Sequence, residues 1–170
     1  MPHIHTEEEL LAFERHWRIQ LPSSYRKYLA EHGGGAVTTT RVDLLEDWSY
    51  HPEVLAEDYL AQDFPHTEPW NKPELIGYKG WTSPYYSDDL VCGSIRIRST
   101  GCEGHDILII SGSLRSRIWH DDRACTGKGI YPLMALDGQP HDFNSYIREP
   151  HWTSIQCEQS VPPKSDRAGG

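Results

Sequence analysis

His120, Asp121 and Asp122 stand side by side in SRIWHDDR, residues 116–123, the densest group of reactive side chains in the sequence. Imidazole and carboxylate are the commonest ligands and acid–base groups, so a small metal-dependent enzyme is one reading of them. Their spacing opposes it. Successive strand residues point to opposite faces, so Asp121 and Asp122 do not converge on one ion while the strand lasts. No third ligand is placed by spacing. The competing reading is a turn, in which carboxylates accept backbone N–H groups where the strand leaves the sheet and Arg123 pairs with one of them. Gly101-Cys102-Glu103-Gly104 then supplies a neighbouring tight turn. Gly101, Gly104, Trp119, Asp121, Asp122 and Arg123 are assigned to this structural corner.

Other reactive groups are scattered. His105-Asp106 is a lone pair, and His3 and His5 precede the first helix, where terminal residues are usually mobile. Ser111-Gly112-Ser113 falls in a hairpin turn rather than the strand-to-helix elbow that presents a nucleophilic serine. No glycine-rich phosphate loop precedes a helix with a lysine in place. Cys92, Cys102, Cys125 and Cys157 form no close pair, which opposes a zinc ribbon or a disulfide framework and suits free thiols in a reducing compartment. The expectation is a protein that is not an enzyme, with no catalytic residues, no metal and no cofactor.

Charge is more informative. The chain carries a formal net charge of −9. Eight acids, Asp43, Glu46, Asp47, Glu53, Glu57, Asp58, Asp63 and Glu68, fall between Val42 and Asn71, where there is no Lys or Arg. The rest of the chain is almost neutral. Such a field repels phosphate backbones, which argues against direct nucleic-acid binding, and attracts basic partners. The acids are mixed with Trp48, Tyr50, Tyr59, Phe64 and Trp70, followed by Trp81, Tyr85 and Tyr86. Aromatics are enriched at interface centres, while charges at the rim set partner choice and on-rate. The residues assigned to partner binding are Glu46, Asp47, Glu53, Glu57 and Asp58 for steering, with Trp48, Tyr50 and Trp70 as anchors. The alternative is a solvated face plus core rings.

The elements around these residues follow from pattern. Thr6 to Glu9 reads as a capping box, with Ile4 and Leu10 placed to staple it, and Leu10, Phe13 and Trp17 predict a helix over 7–17. Tyr25, Tyr28 and Leu29 make the stripe of a second helix that Gly33 ends. Residues 36–45 read as a strand, and Pro52 opens a helix with Leu55, Tyr59 and Leu60 inward. Residues 64–86 read as a long loop that touches the core through Leu75 and Ile76. LVCGSIRIR, 90–98, alternates as a half-buried strand. DILIISG is apolar at nearly consecutive positions, as a central strand covered on both faces would be. SRIWH is its hairpin partner across Gly112 to Arg115, IYPL is a short strand, and Asp142 caps a last helix with Phe143, Tyr146 and Ile147 inward. The chain divides into a domain over 1–155 and a disordered C-terminal tail over 156–170. The fold class is α+β: one domain with a mixed or mostly antiparallel sheet and helices at both ends. No apolar run is long enough to span a bilayer and no secretory pattern opens the chain, so no membrane partner and a cytoplasmic location are expected.

LPSSYRKYLAEHGGG, DILIISG and SRIWHDDR, taken in order, resemble the SUKH superfamily of fungal Smi/Knr-type cell-wall regulators and bacterial immunity proteins. The likeness runs from Thr6 to about Trp152. Residues 47–86 match none of its motifs, and the glycines at 33–35 replace the more usual Asn-Gly. The resemblance implies a curved sheet with packed helices. For the bacterial branch it also implies a binding protein that neutralises a toxin domain. Together with the acidic segment, it gives an expected partner: a basic toxin domain, such as a nuclease, met through an acidic, aromatic-rich surface. The alternative from the same family is a general interaction scaffold of the cell-wall-regulator kind. Oligomeric state is left open.

Overall fold

In the computed structural model the described residues are 4–33, 56–77, 80–101 and 104–149. The strand expected over 36–45, most of the helix expected from Pro52 and the tail beyond 155 lie outside them.

Helix α1 spans Glu7–Trp17 and α2 spans Ser23–His32. The Thr6 hydroxyl accepts from the Glu9 N–H at 3.2 Å, and the Glu9 carboxylate accepts from the Thr6 N–H at 2.8 Å, so the expected capping box is present. The staple is not: Ile4 is exposed, and His5 turns inward instead, its N–H donating to Leu29 O at 3.1 Å. Pairing with α2 decides which residue enters the core there. Arg26 grips Glu7 through two nitrogens, at 2.9 and 2.5 Å, across the two helices.

A four-stranded antiparallel sheet follows in the order β1 (Ser94–Gly101), β2 (Gly104–Ile109), β3 (Ile118–Asp121) and β4 (Ile130–Pro132). β1 begins later than its alternation suggested, because Asp88–Val91 forms a 3₁₀ turn first. Gly101 and Gly104 face each other at the closing end of β1 and β2, and the two residues between them lie outside the description. Helix α3, Phe143–Arg148, closes the described chain under an Asp142 capping box.

The run DILIISG is explained by what lies on each side of the sheet. Leu108 and Ile110, with Ile95, Ile97 and Ile118, pack on the helices through Leu10, Trp17, Tyr25, Tyr28, Leu29, Phe143 and Tyr146. Phe143 takes the Tyr25 and Tyr28 rings edge-on at 5.0 and 5.5 Å. Each such contact is worth about 0.5–1.5 kcal/mol beyond area burial. Ile107 and Ile109, with Trp119 and Ile130, face the other way onto Phe64 and Val91, flanked by Trp70 and Leu90. Alternate residues of one strand thus feed two apolar layers.

The second layer is built by the segment expected to be a long loop. It makes 3₁₀ turns at Pro73–Leu75, Gly80–Thr82 and Pro84–Tyr86. It does not enter the core through Leu75, which is exposed, or through Ile76, which is half-buried. Phe64, His66, Ser83 and Tyr85 are its buried residues. Two glycines permit the close approach. A Cβ on Gly93 (φ +66°) would sit 2.2 Å from Gln62 O, and one on Gly129 (φ +87°) would sit 2.1 Å from Trp70 O.

Candidate partner-binding surface

His120, Asp121 and Asp122, the side chains with the most chemical potential in the sequence, are all buried and all engaged internally. His120 Nδ1 lies 2.7 Å from Asp106 Oδ1. The other Asp106 oxygen accepts from Tyr146 OH and from Arg98 Nε, each at 2.6 Å. Burial pushes the Asp106 carboxyl up, but His120, Arg98 and Tyr146 outweigh it and hold the group below the ordinary aspartate value. An ionised carboxylate only accepts, so His120 Nδ1 carries the proton in this pair. One residue from each of β1, β2, β3 and α3 is tied into this knot.

Asp121 and Asp122 diverge, as strand geometry requires. Asp121 accepts two parallel bonds from Arg123, from Nε and from the second terminal nitrogen, each 2.8 Å. Burial raises the Asp121 carboxyl, yet Arg123 lowers it further and keeps it below its usual range. Asp122 accepts from the Thr126 N–H at 3.1 Å and from the Thr126 hydroxyl, and its carbonyl accepts from the Gly127 N–H at 3.0 Å. It therefore organises the turn that leads to β4. Among the described residues no group of three His, Cys, Asp or Glu side chains is placed to hold a metal ion.

Arg123 also reaches outward. Its remaining terminal nitrogen donates to Tyr85 O and Ser87 O, both at 2.9 Å. Tyr85 is buried, and its hydroxyl donates to Asn71 Oδ1 at 2.8 Å. The corner at the end of β3 thus clamps the 3₁₀ segment of residues 84–91 against the sheet.

Tyr86 stands on that clamped segment, and Trp81, on the preceding 3₁₀ turn Gly80–Thr82, lies against it. Their ring centroids are 4.6 Å apart, and Trp81 is 65% exposed. Asp88 and Asp89 follow directly and are exposed, with Asp89 accepting from its neighbour Ser87. Asp58 and Asp63 are exposed too, on the turns around buried Tyr59 and Leu60. Tyr59 OH donates to Asp88 O at 3.1 Å, which joins the two stretches. Cys92 reports their convergence: burial raises its thiol most, and Asp89, Asp58 and Asp63 all push the same way. None of these four carboxylates makes an ion pair with a described residue.

The assigned partner-binding residues are distributed differently. Glu46, Asp47, Trp48, Tyr50 and Glu53 lie outside the described residues. Glu57 and Asp58 are exposed. Trp70 is half-buried, with its ring between His66 and Tyr85 at 5.6 and 5.4 Å and its backbone bonded both ways to Ile130 at 2.8 Å. Trp81 and Tyr86 were not singled out as anchors. The sequence marks a long loop around them, but not which rings the sheet buries.

The description SMI1 / KNR4 family (SUKH-1) belongs to a family model that matches residues 5–111, more than half of the chain. The chain belongs to this family. No curated protein and no solved structure matches it. The SUKH-1 match takes in α1, α2, β1, β2 and the acidic segment, and it ends at Ser111. The corner at Asp121–Arg123, β4 and α3 lie beyond it, though they complete the same core. Among the described residues no helix of this family member is long and apolar enough to cross a membrane.

Proposed function

We propose that this SUKH-1 chain is a cytoplasmic binding protein of the immunity type, one that neutralises a basic toxin domain by covering it and performs no chemistry itself. The observation that carries the reading is the surface at residues 56–63 and 81–89. There an exposed indole lies against a tyrosine that Asp88 and Asp89 follow in sequence. Tyr59 joins this stretch to the one carrying Asp58 and Asp63, and no described cation pairs with any of the four carboxylates. Exposed acids beside large rings give fast, electrostatically steered association followed by desolvated contact. The side chains that would carry an enzymatic reading are spent on holding the sheet. His120 is committed to Asp106, Asp121 to Arg123 and Asp122 to Thr126.

The test is co-purification with the product of the neighbouring reading frame, followed by association kinetics across ionic strength. A basic toxin domain is expected to bind with an on-rate that falls severalfold as salt rises through the physiological range. A salt-independent on-rate would overturn the acidic-surface reading. Capture of several cellular proteins, with no protection against a toxin, would assign the chain to the regulator-like scaffold instead.

A further inference from the structure

The geometry points to the Trp81–Tyr86 pair as a receiver for an arginine side chain of the partner, its guanidinium lying on the indole face with its N–H groups toward Asp88 and Asp89. This inference rests on the binding reading above and narrows it to one side-chain chemistry at one place.

Three observations converge. Trp81 is the most exposed aromatic ring described, and it projects from a 3₁₀ turn rather than a mobile terminus. Tyr86 lies against it, with ring centroids 4.6 Å apart and planes at 42°, while most of the indole stays exposed. Tyr86 is itself set edge-on to buried Tyr85 at 5.0 Å, and Arg123 fixes the backbone on both sides of Tyr86 through Tyr85 O and Ser87 O. The Tyr86 side of the platform is therefore held in place before any partner arrives. Asp88 and Asp89 then supply negative charge with no described cation to satisfy it. A planar guanidinium suits both features, because it stacks on an aromatic face while its edge donates to carboxylates. A lysine ammonium is strongly hydrated and cannot stack.

The experiment labels the full chain with fluorotryptophan, assigns the Trp81 resonance with Trp81→Phe, and titrates with octa-arginine or octa-lysine at low salt. The expected result is a saturable shift of the Trp81 resonance with octa-arginine. Binding should be roughly three- to thirtyfold tighter than octa-lysine, and Trp81→Ala should abolish that preference. Asp88→Asn with Asp89→Asn should weaken both peptides. Trp81 is exposed, so folding of the alanine variant is checked by an unchanged denaturation midpoint. Equal affinity for the two peptides, or an unmoved Trp81 resonance, overturns the inference. The arms separate it from the broader reading. If the toxin partner is still bound at full affinity by Trp81→Ala, the arginine receiver is refuted while the binding function stands. If octa-arginine binds at Trp81 but no neighbouring toxin does, the receiver stands and the immunity reading fails.

Discussion

Arg123 holds Asp121 through two parallel N–H···O bonds of 2.8 Å, and both residues are buried within the sheet's second layer. The pair is the hinge between scaffold and surface, because the same guanidinium bonds the carbonyls on either side of Tyr86. Removing one partner of a buried pair strands the other charge, so Arg123→Ala should cost about 3–5 kcal/mol in denaturant unfolding. Arg123→Lys keeps the charge without the fork and should cost less, on the order of 1–3 kcal/mol. It should also loosen residues 84–89, read as faster amide exchange there than in β2.

Acid should unfold the domain by way of its buried aspartates. In the unfolded chain Asp106 and Asp121 titrate near 3.8, and in the folded protein both are held lower. A depressed folded value means the stabilisation is complete well above 3.8 and is lost as pH falls toward the folded pKa. The decline should begin near about pH 5 and steepen below it. Urea melts at descending pH check this. Asp106→Asn should lower stability at neutral pH and flatten the dependence, and an unchanged slope in that variant would refute the assignment.

The hydroxyl of Tyr146 donates to Asp106 at 2.6 Å in a dry setting. Tyr146→Phe keeps the ring of α3 and deletes that bond to a charged acceptor. A loss of about 1.5–3 kcal/mol in the unfolding free energy is expected. A loss below a few tenths would mean that Arg98 and His120 alone satisfy the carboxylate.

Two glycines of the turn before β4 should respond unequally to alanine. Gly127 (φ +73°) has open space around it, so Gly127→Ala incurs only left-handed backbone strain, about 1–2 kcal/mol. Gly129 (φ +87°) would drive a methyl into Trp70 O and the Asn71 side chain, at 2.1 and 2.7 Å. Gly129→Ala should therefore destabilise by clearly more, and it should also disturb the Trp70–Ile130 pairing. Paired thermal melts decide it.

The elements that local chemistry controls were legible in the residues. The capping box at Thr6 to Glu9, the stripe of Tyr25, Tyr28 and Leu29, the doubly covered strand ILI and the Asp142 cap needed only hydrogen bonding and periodicity. The family followed from the same short motifs, and the divergence of Asp121 from Asp122 followed from strand alternation. These features depend on neighbours in sequence, so the sequence by itself determined them.

Tertiary packing decided the rest. Residues 64–86 have no period, so nothing local said that Phe64, His66 and Tyr85 would form a layer while Leu75 stayed out. The aromatic rings look alike in a list, and Trp70 was singled out while Trp81 was not. Only the sheet's second face, against which Trp70 packs beside Ile130 while Trp81 stays exposed, divides buried rings from presented ones. That face is assembled from strands more than twenty residues from either tryptophan, and the burial of a side chain is a property of what is brought against it, which no window of sequence contains.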